Sequence, residues 1–319
     1  MANGFKISVI VPVYNTAEFL EECLISLSSQ SLDNFEVICV DDCSTDSSLE
    51  IIKKKLRKDS RFRLIQNEIN LGVSASRNSG LESANGEYVY FLDSDDFLEE
   101  NALEILYNKA KENDYDVVFT GAYEYFSKEK KIPYDCPVER AEHLTGREFN
   151  LLDLSVYVNG AAWWFIFRRQ IIIDHPTVRF PVGAHPHEDT TFSFMLLTLS
   201  RTFSYTKENL INYRQHPNMV MRQISKSKRK QNLRSIVICL DQIKAFLLEY
   251  PEFHLSRKDA YNGLYYALTR KNILHLPLRY SLPLFSTNVF FFVYRKKITK
   301  SGYLQIKVFK FPVFRKKIK

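Results

Sequence analysis

Three carboxylates lie close together in the segment 91–96, which reads FLDSDD. Asp93, Asp95 and Asp96 repel one another unless a cation or hydrogen-bond donors neutralise them, and sites built of oxygen ligands favour Mg²⁺ or Mn²⁺. A metal held by one or two carboxylates usually completes its coordination with substrate phosphate and water. The segment therefore predicts a metal–phosphate site. The alternative is a solvated acidic turn that caps the next helix.

Two further segments could contact a nucleotide. Asp41 and Asp42 follow an apolar run, and a carboxylate at that place can accept a hydrogen bond from a base or a ribose, although Asx turns and helix caps use the same residue type. Segment 70–78 contains Gly72, a turn residue, followed by a single cation, Arg77. The guanidinium could face a diphosphate. It could equally pair with the acidic cluster and hold the loop.

Apolar runs and helical periodicity alternate through the first 120 residues. Strands are predicted at 7–12, 35–40, 62–65, 87–92 and 117–121, with helices at 17–30, up to 57, within 72–84 and at 100–113. Strands that alternate with helices imply βαβ units, so we predict an α/β fold with a mostly parallel sheet. Further helices are predicted near 146–154, at 189–199 and at 232–248, and a strand at 210–213.

Ligands of such sheets bind outside the carboxyl ends of the strands. The polar segments begin at three of these ends: Pro12 to Tyr14 follows the first strand, Asp41 and Asp42 follow the second, and the acidic cluster follows the fourth. Because three independent strand ends carry such residues, we expect one shared site.

Composition excludes several classes of protein. The 319 residues are 45% hydrophobic and 25% charged, which is ordinary for a chain that builds a core and excludes a mainly disordered protein. The longest apolar stretch, 282–294, contains Pro283 and is shorter than the roughly 20 residues of a membrane span. The five cysteines show no metal-type spacing, and the N-terminus shows no signal-peptide pattern. We therefore expect reduced thiols and a cytoplasmic protein.

The net charge of +7 conceals two regions of opposite sign. Residues 1–220 carry 22 Lys or Arg and 33 Asp or Glu, a net −11, whereas residues 221–319 carry 22 and 4, a net +18. Basic clusters at 226–230, 295–297 and 315–317 are accompanied by aromatic residues, a pattern that an anionic membrane surface selects. No nucleic-acid recognition motif accompanies them, so we expect a membrane partner and no nucleic acid. The alternative is a solvated basic face.

Four segments together resemble a known family. VIVPVYN (9–15), VDDCSTD (40–46), NLGVSASRNSG (70–80) and GEYVYFLDSDD (86–96) occur in the order and spacing of glycosyltransferase family 2, whose fold is GT-A, a Rossmann-like sheet with flanking helices. The resemblance covers about residues 5–105. It implies an inverting enzyme of bacterial surface-polysaccharide type, which transfers a sugar from a UDP-sugar to a glycan or lipid-linked acceptor, as in capsule, lipopolysaccharide or glycolipid synthesis.

The resemblance also implies how the donor nucleotide is bound. Pro12 and Tyr14 would flank the base, Asp42 would meet the uracil with Asp41 beside it, and Arg77 would lie near the diphosphate.

The metal and the diphosphate are assigned further residues by the same resemblance. Asp93 and Asp95 form the DxD motif, which places the donor ribose and a divalent cofactor, Mn²⁺ or Mg²⁺. His216 is a further candidate metal ligand, or else an ordinary loop histidine. Arg214 matches the family's YR…S segment, which reaches the diphosphate, although Met219 stands where a Ser is common.

The acceptor side depends on two other segments. Glu188 and Asp189 resemble the family's ED motif, in which the Asp deprotonates the acceptor hydroxyl, so the resemblance makes Asp189 the base of a single displacement that gives a β-linkage. Taken alone, the pair could merely favour a helix N-terminus. Trp163 and Trp164 are candidates for acceptor contact through their aromatic faces, or else core residues.

We predict a GT-A domain at residues 1–220, with a nucleotide-binding half to about 120 and an acceptor half from 121 to 220. Residues 221–319 are predicted to form a basic, mainly helical region for membrane association or acceptor contact, on the inner face of the cytoplasmic membrane. A catalytically inert GT-A scaffold, docked to the membrane in a polysaccharide assembly complex, is the alternative. A nucleotide-dependent dehydrogenase is disfavoured, because residues 11–16 contain no GxGxxG.

Overall fold

The computed structural model describes residues 4–134, 161–216, 226–253, 291–298 and 304–310. The chain divides into two compact units, Met1–Leu264 and Tyr265–Lys319. The predicted helix near 146–154 and Cys136 lie outside the described residues. The division at 264 differs from the predicted domain boundary at 220, which stays a prediction.

The nucleotide-binding half forms as predicted. Its elements are β1 Ile7–Val13, α1 Ala17–Ser28, β2 Phe35–Asp41, α2 Ser48–Leu56, β3 Phe62–Gln66, α3 Val73–Ser83 and β4 Tyr88–Phe91. The four strands lie in the order β3-β2-β1-β4 and all pair in parallel. Every residue of β1 and β2 is buried, which explains why both strands are nearly continuous apolar runs.

The second half of the sheet is mixed. Its elements are β5 Phe97–Leu98, α4 Ala102–Glu112, β6 Val117–Ser127, β7 Lys130–Tyr134, β8 Phe165–Arg168, α5 Gln170–Asp174, α6 Glu188–Leu199 and β9 Phe203–Arg214. Within the described residues, β6 and β9 are parallel, whereas β4–β8, β6–β8, β6–β7 and β5–β9 are antiparallel. The prediction of a mostly parallel sheet therefore holds for the first half only. One cause is the short connection from β6 to β7, which permits only an antiparallel hairpin.

Two contacts fix the helices that carry site residues. On α3, an added Cβ at Gly80 would lie 2.3 Å from Ile10 Cγ2, so only a glycine lets the helix approach β1 so closely. Helix α6 is buried along nearly its whole length, its polar residues included. Its Phe192 stacks on Phe180, with ring centroids 4.0 Å apart, and meets Phe91 of β4 edge-on at 5.7 Å.

A long helix from the basic region packs on this body. Helix α7 spans Lys226–Glu249 and therefore begins earlier than the predicted 232–248. It lies against α6, and its Ser235 hydroxyl donates a hydrogen bond to the Pro186 carbonyl. The Cys239 thiol lies 3.5 Å from the carbonyl oxygen of His187. The first part of the basic region thus supports the segment that precedes α6.

The second unit contains an antiparallel pair of strands, β10 Phe291–Ile298 and β11 Leu304–Lys310. These residues differ from the predicted mainly helical character of the C-terminal region, because two strands in register satisfy their backbone groups across the ladder rather than along a helix. Among the residues that the structure describes, no helix has the length and apolar character needed to cross a bilayer. The four cysteines within the described ranges are free.

Candidate active site

A cavity of about 870 Å³ opens beyond the carboxyl ends of β1, β2 and β4, where the sequence predicted a shared site. Ten of the predicted site residues line it together: Pro12, Tyr14, Asp42, Arg77, Asp93, Asp95, Trp163, Trp164, Glu188 and Asp189. The structure therefore brings the candidate donor and acceptor residues to one place.

Asp42 is built into the cavity wall by the turn that precedes α3. Its carboxylate accepts hydrogen bonds from Asn67 Nδ2 at 2.8 Å and from the backbone N–H groups of Leu71 and Gly72 at 2.9 and 2.8 Å. Gly72 has a φ of 87°, a left-handed conformation that favours glycine. The two roles weighed for this segment thus coincide, because the same carboxylate shapes the turn and lines the cavity.

Asp41 is completely buried and does not line the cavity, so its placement beside a nucleotide base does not follow from the structure. Tyr14, by contrast, is 47% exposed at the mouth of the cavity, where its ring is available to a planar ligand.

Arg214 braces the acidic loop and does not line the cavity. Its Nε donates to the backbone oxygen of Asp95 at 2.8 Å, and its Nη2 donates to Glu22 at 2.6 Å. Its own backbone N–H donates to Asp96 Oδ1 at 2.8 Å. These contacts hold the DxD loop against the end of β9, and the diphosphate contact of Arg214 stays a prediction.

Two carboxyl groups of the acidic loop have raised pKa values. Asp95 Oδ2 lies 3.0 Å from His216 Nε2, and burial, together with the neighbouring Asp93, raises the pKa of Asp95. Asp96 is almost fully buried, and burial raises its pKa well above the usual range. His216 stands behind Asp95 and outside the cavity lining. Within the described ranges, no group of three or more His, Cys, Asp or Glu side chains is arranged to hold a metal by itself.

Arg77 lies at the centre of the site. Its Nη2 donates to Asp93 Oδ1 at 2.8 Å, and its Nη1 donates to Glu188 Oε1 at 3.2 Å and to Asp189 Oδ1. Burial alone would lower the pKa of Arg77, but the three carboxylates raise it, so the guanidinium stays protonated. Of the two roles that the sequence left open, the structure shows the pairing with the acidic cluster.

Glu188 and Asp189 begin α6, and their pKa values are shifted in opposite directions. Burial raises the pKa of Asp189 to about 8; the charge of Arg77 opposes this shift, and the carboxylates of Glu188 and Asp93 add to it. Burial would also raise the pKa of Glu188, but a hydrogen bond from His185 and the charge of Arg77 lower it. Of the two carboxyl groups, Asp189 is therefore the better proton acceptor.

Sequence reasoning missed several residues of the site. Ser74 and Asn78 of α3 lie on the same helix face as Arg77, and they bond the backbone of Ala184 and Phe180 at 3.3 and 2.9 Å. The i, i+3, i+4 spacing of these three polar residues was the available signal. His185, which lines the cavity with its Nδ1 3.4 Å from Glu188 Oε2, was signalled only by the density of histidines at 185–187.

Aromatic rings form the wall on the acceptor side. Trp163 stacks on Trp164 with centroids 4.4 Å apart and on Tyr213 at 5.2 Å, and Trp164 meets Tyr134 at 5.1 Å. Both tryptophans are buried yet line the cavity, so the core and the acceptor-wall interpretations describe the same residues. The tyrosines escaped sequence reasoning because they come from β7 and β9, strands distant in the chain.

Comparison with known proteins identifies the family. Residues 8–175 match the model of the family described as Glycosyl transferase family 2. Glycosyltransferase GlyG of Streptococcus pneumoniae serotype 4 (strain ATCC BAA-334 / TIGR4) is 32% identical over 229 residues, which cover 68% of this chain and 73% of GlyG. The chain belongs to glycosyltransferase family 2. It is therefore a glycosyltransferase, as its four motifs predicted.

Two further comparisons give the fold and a shorter sequence match. The crystal structure of S. aureus TarS 1–349 in complex with UDP-GlcNAc matches with a TM-score of 0.62 and 23% identity, covering 95% of this chain and 97% of that chain. This similarity confirms the predicted α/β GT-A fold. The Poly(ribitol-phosphate) beta-glucosyltransferase of Bacillus spizizenii (strain ATCC 23059 / NRRL B-14472 / W23) is 44% identical over 115 residues, 35% of this chain and 18% of its own length.

Proposed function

We propose that this glycosyltransferase is an inverting enzyme that moves a sugar from a UDP-sugar to a hydroxyl of a glycan or lipid-linked acceptor in the synthesis of a bacterial surface polysaccharide. The observation that carries the proposal is the single cavity in which the donor-side carboxylates Asp42, Asp93 and Asp95 face Asp189. TarS, crystallised with UDP-GlcNAc, supports the donor class. The relative named for poly(ribitol-phosphate) and a β-glucosyl product supports a surface-polymer acceptor.

In this mechanism Asp189 accepts the proton of the acceptor hydroxyl. The hydroxyl oxygen forms a bond to the anomeric carbon while the bond between that carbon and the UDP oxygen breaks, so the configuration inverts. An α-linked donor then yields a β-linked product. The raised pKa of Asp189 makes its ionised form a stronger base than an ordinary aspartate, and a positioned base contributes about 10²–10⁴-fold to the rate.

The acidic loop fits a divalent cation whose coordination the donor completes. Asp95 and Asp93 would hold it, with His216 beside Asp95 to orient the carboxylate. Burial and the neighbouring Asp93 raise the pKa of Asp95, a bound cation would favour its ionised form instead, and oxygen ligands suit Mn²⁺ or Mg²⁺. When bound, the cation would neutralise the charge that develops on the leaving diphosphate.

Calorimetry with UDP tests the donor site directly. UDP should bind in the presence of Mn²⁺ and lose at least tenfold in affinity when EDTA removes the metal. UDP-glucose, UDP-galactose, UDP-GlcNAc and UDP-GalNAc can then be compared for UDP release with polyribitol phosphate and lipid-linked acceptors. Absence of UDP binding with and without Mn²⁺ would contradict the UDP-sugar proposal and favour another nucleotide donor or the inert scaffold.

We further propose that the basic C-terminal region associates with the anionic inner face of the cytoplasmic membrane. Residues 221–319 carry a net charge of +18, and each Lys or Arg near such a surface contributes about 1 kcal/mol. A lipid-linked acceptor would be found at that same surface, so the association would bring the enzyme close to its acceptor.

A further inference from the structure

One face of α3 joins the donor side of the cavity to the acceptor side. Ser74 and Asn78 bond the backbone of the segment that leads into α6, and Arg77 lies between them. The guanidinium of Arg77 contacts one carboxylate on the donor side, Asp93, and two on the acceptor side, Glu188 and Asp189. The three carboxylates come from two separate segments, the loop after β4 and the start of α6, and both segments meet at this one side chain.

The contacts use the planar shape of the guanidinium. Nη2 is committed to Asp93, and Nη1 is shared between Glu188 and Asp189, while the Phe180 ring lies 5.2 Å from Cζ. The Arg77 side chain is only 4% exposed. A planar fork can hold several carboxylates in fixed directions, whereas an ammonium group acts as a point charge. Both terminal nitrogens therefore already face carboxylates, and Nε, which has no hydrogen-bond partner among the described residues, is buried away from a ligand.

We propose that Arg77 is a positioning residue: it holds the carboxylate of Asp189 in the orientation that accepts the acceptor proton, and it does not bind the donor diphosphate. The inference rests on the proposed function and deepens it. It gives Arg77 of the NLGVSASRNSG motif the task of orienting the catalytic base Asp189. Removal of the fork should therefore lower the rate of the chemical step without lowering donor affinity.

The variant Arg77→Lys tests this, since it keeps the charge that the buried carboxylates need and removes the fork. Arg168→Lys is the matched control: Arg168 also bridges two carboxylates, Asp114 at 2.8 Å and Asp116 at 3.2 Å, but it does not line the cavity. Two quantities are measured for each protein. One is the Kd of UDP with Mn²⁺ by calorimetry; the other is the rate of UDP release from saturating UDP-GlcNAc or UDP-glucose with water as acceptor.

In that assay a water oxygen forms the bond to the anomeric carbon, UDP leaves, and the water proton passes to Asp189. Arg77→Lys should lower the rate at least tenfold and change the Kd of UDP less than threefold, while Arg168→Lys changes neither. A tenfold loss of UDP affinity, with or without a slower rate, would overturn the proposal in favour of a diphosphate contact. An unchanged rate would overturn it as well.

Circular dichroism and thermal melting establish that each variant folds. If Arg77→Lys does not fold, Arg77→Gln, whose amide keeps two donors, is measured in the same way with the same expectations. Failure of both to fold would overturn the proposal, because Arg77 would then be needed for the fold rather than for the base. Wild-type protein that binds no UDP would count instead against the proposed function, on which this inference depends.

Discussion

At the scale of single residues, the site is a set of carboxylates whose surroundings give them different tasks. Asp42 accepts backbone N–H groups and shapes the cavity wall, whereas Asp96 accepts the N–H of Arg214 and fixes the DxD loop. Asp189 and Asp95 both combine a raised pKa with a partly exposed side chain, but only Asp189 of the two is in contact with Arg77. Environment rather than residue type therefore distinguishes the carboxylates of the site.

Replacement of Asp189 by Asn should abolish most of the transfer and leave the donor site intact. Asn keeps the shape of the side chain but cannot accept the proton, so the rate should fall by about 10²–10⁴-fold. The measurement is UDP release from a UDP-sugar beside calorimetry of UDP with Mn²⁺, whose Kd should stay within threefold. Transfer at the wild-type rate would show that another group is the base.

Transfer should depend on pH through Asp189. Its folded pKa is raised by burial and by Glu188 and Asp93, and a base works only when ionised. The rate should therefore be lost as pH falls through this raised value, well above the ordinary aspartate value of about 3.9. A profile of kcat/KM from pH 4.5 to 9 measures this loss of rate on the acidic side. A rate that stays constant down to pH 5 would contradict the assignment.

Replacement of Asp95 by Ala should weaken metal-dependent binding of UDP. The change removes a carboxylate from the predicted metal site. It leaves Asp42 and Tyr14, the residues predicted to contact the nucleotide base, in place. Titration of Mn²⁺ in the presence of UDP should show at least a tenfold loss of apparent metal affinity, while the metal-free affinity for UDP stays the same. Unchanged metal dependence would remove Asp95 from the site.

At the scale of elements, α3 and α7 both bond the segment that leads into α6 and Asp189. Helix α3 bonds the segment 180–184 through Ser74 and Asn78, and α7 bonds the carbonyl of Pro186 through Ser235. The start of α6 is thus held by two helices that are more than 140 residues apart in the chain. The position of Asp189 is therefore set by packing between distant segments rather than by the ED motif alone.

The close packing of α3 on β1 can be tested with the variant Gly80→Ala. The added methyl group would lie 2.3 Å from Ile10 Cγ2, and overpacking of a core contact typically costs about 1–3 kcal/mol. We expect a lower melting temperature and, because α3 carries Arg77, a slower transfer. The neighbouring Ser79→Ala adds no atom and is the control. Equal stability of the two variants would show that α3 can shift freely on the sheet.

At the scale of the whole molecule, the boundary between the acidic and the basic region does not coincide with a boundary in the packing of helices. Residues 1–220 are acidic and residues 221–319 are basic, yet α7 of the basic region packs on α6 of the body. The region predicted to meet a membrane therefore also supports the catalytic segment. Strands β10 and β11 lie in the second unit and bring the basic cluster 295–297 into a β-ladder with 305–307.

Deletion of residues 295–319 should release the protein from anionic membranes. The deletion removes ten Lys or Arg and no Asp or Glu, and each is worth about 1 kcal/mol near an anionic surface. Co-sedimentation with phosphatidylglycerol vesicles should fall at least tenfold, with phosphatidylcholine vesicles as the neutral control. Retained UDP binding would show that the first unit is still folded. Undiminished sedimentation would locate the membrane contact elsewhere or eliminate it.

The sequence by itself determined the local part of this protein. Buried strands appear as apolar runs, and parallel strands present their carboxyl ends at one edge, so the nucleotide-binding half, the family and ten cavity residues followed from pattern and motif. The mixed pairing of β6 to β9 did not follow, because pairing partners are chosen by contacts between distant segments.

Only the tertiary structure decided which partners the charged side chains choose. Arg77 pairs with Asp189, Arg214 bonds the DxD loop, and Asp41 does not line the cavity. A motif fixes the residue type and its place on an element, but the direction and the partners of a side chain depend on which other elements pack beside it. A buried arginine pairs with the nearest carboxylates, because an unpaired buried charge is costly in free energy.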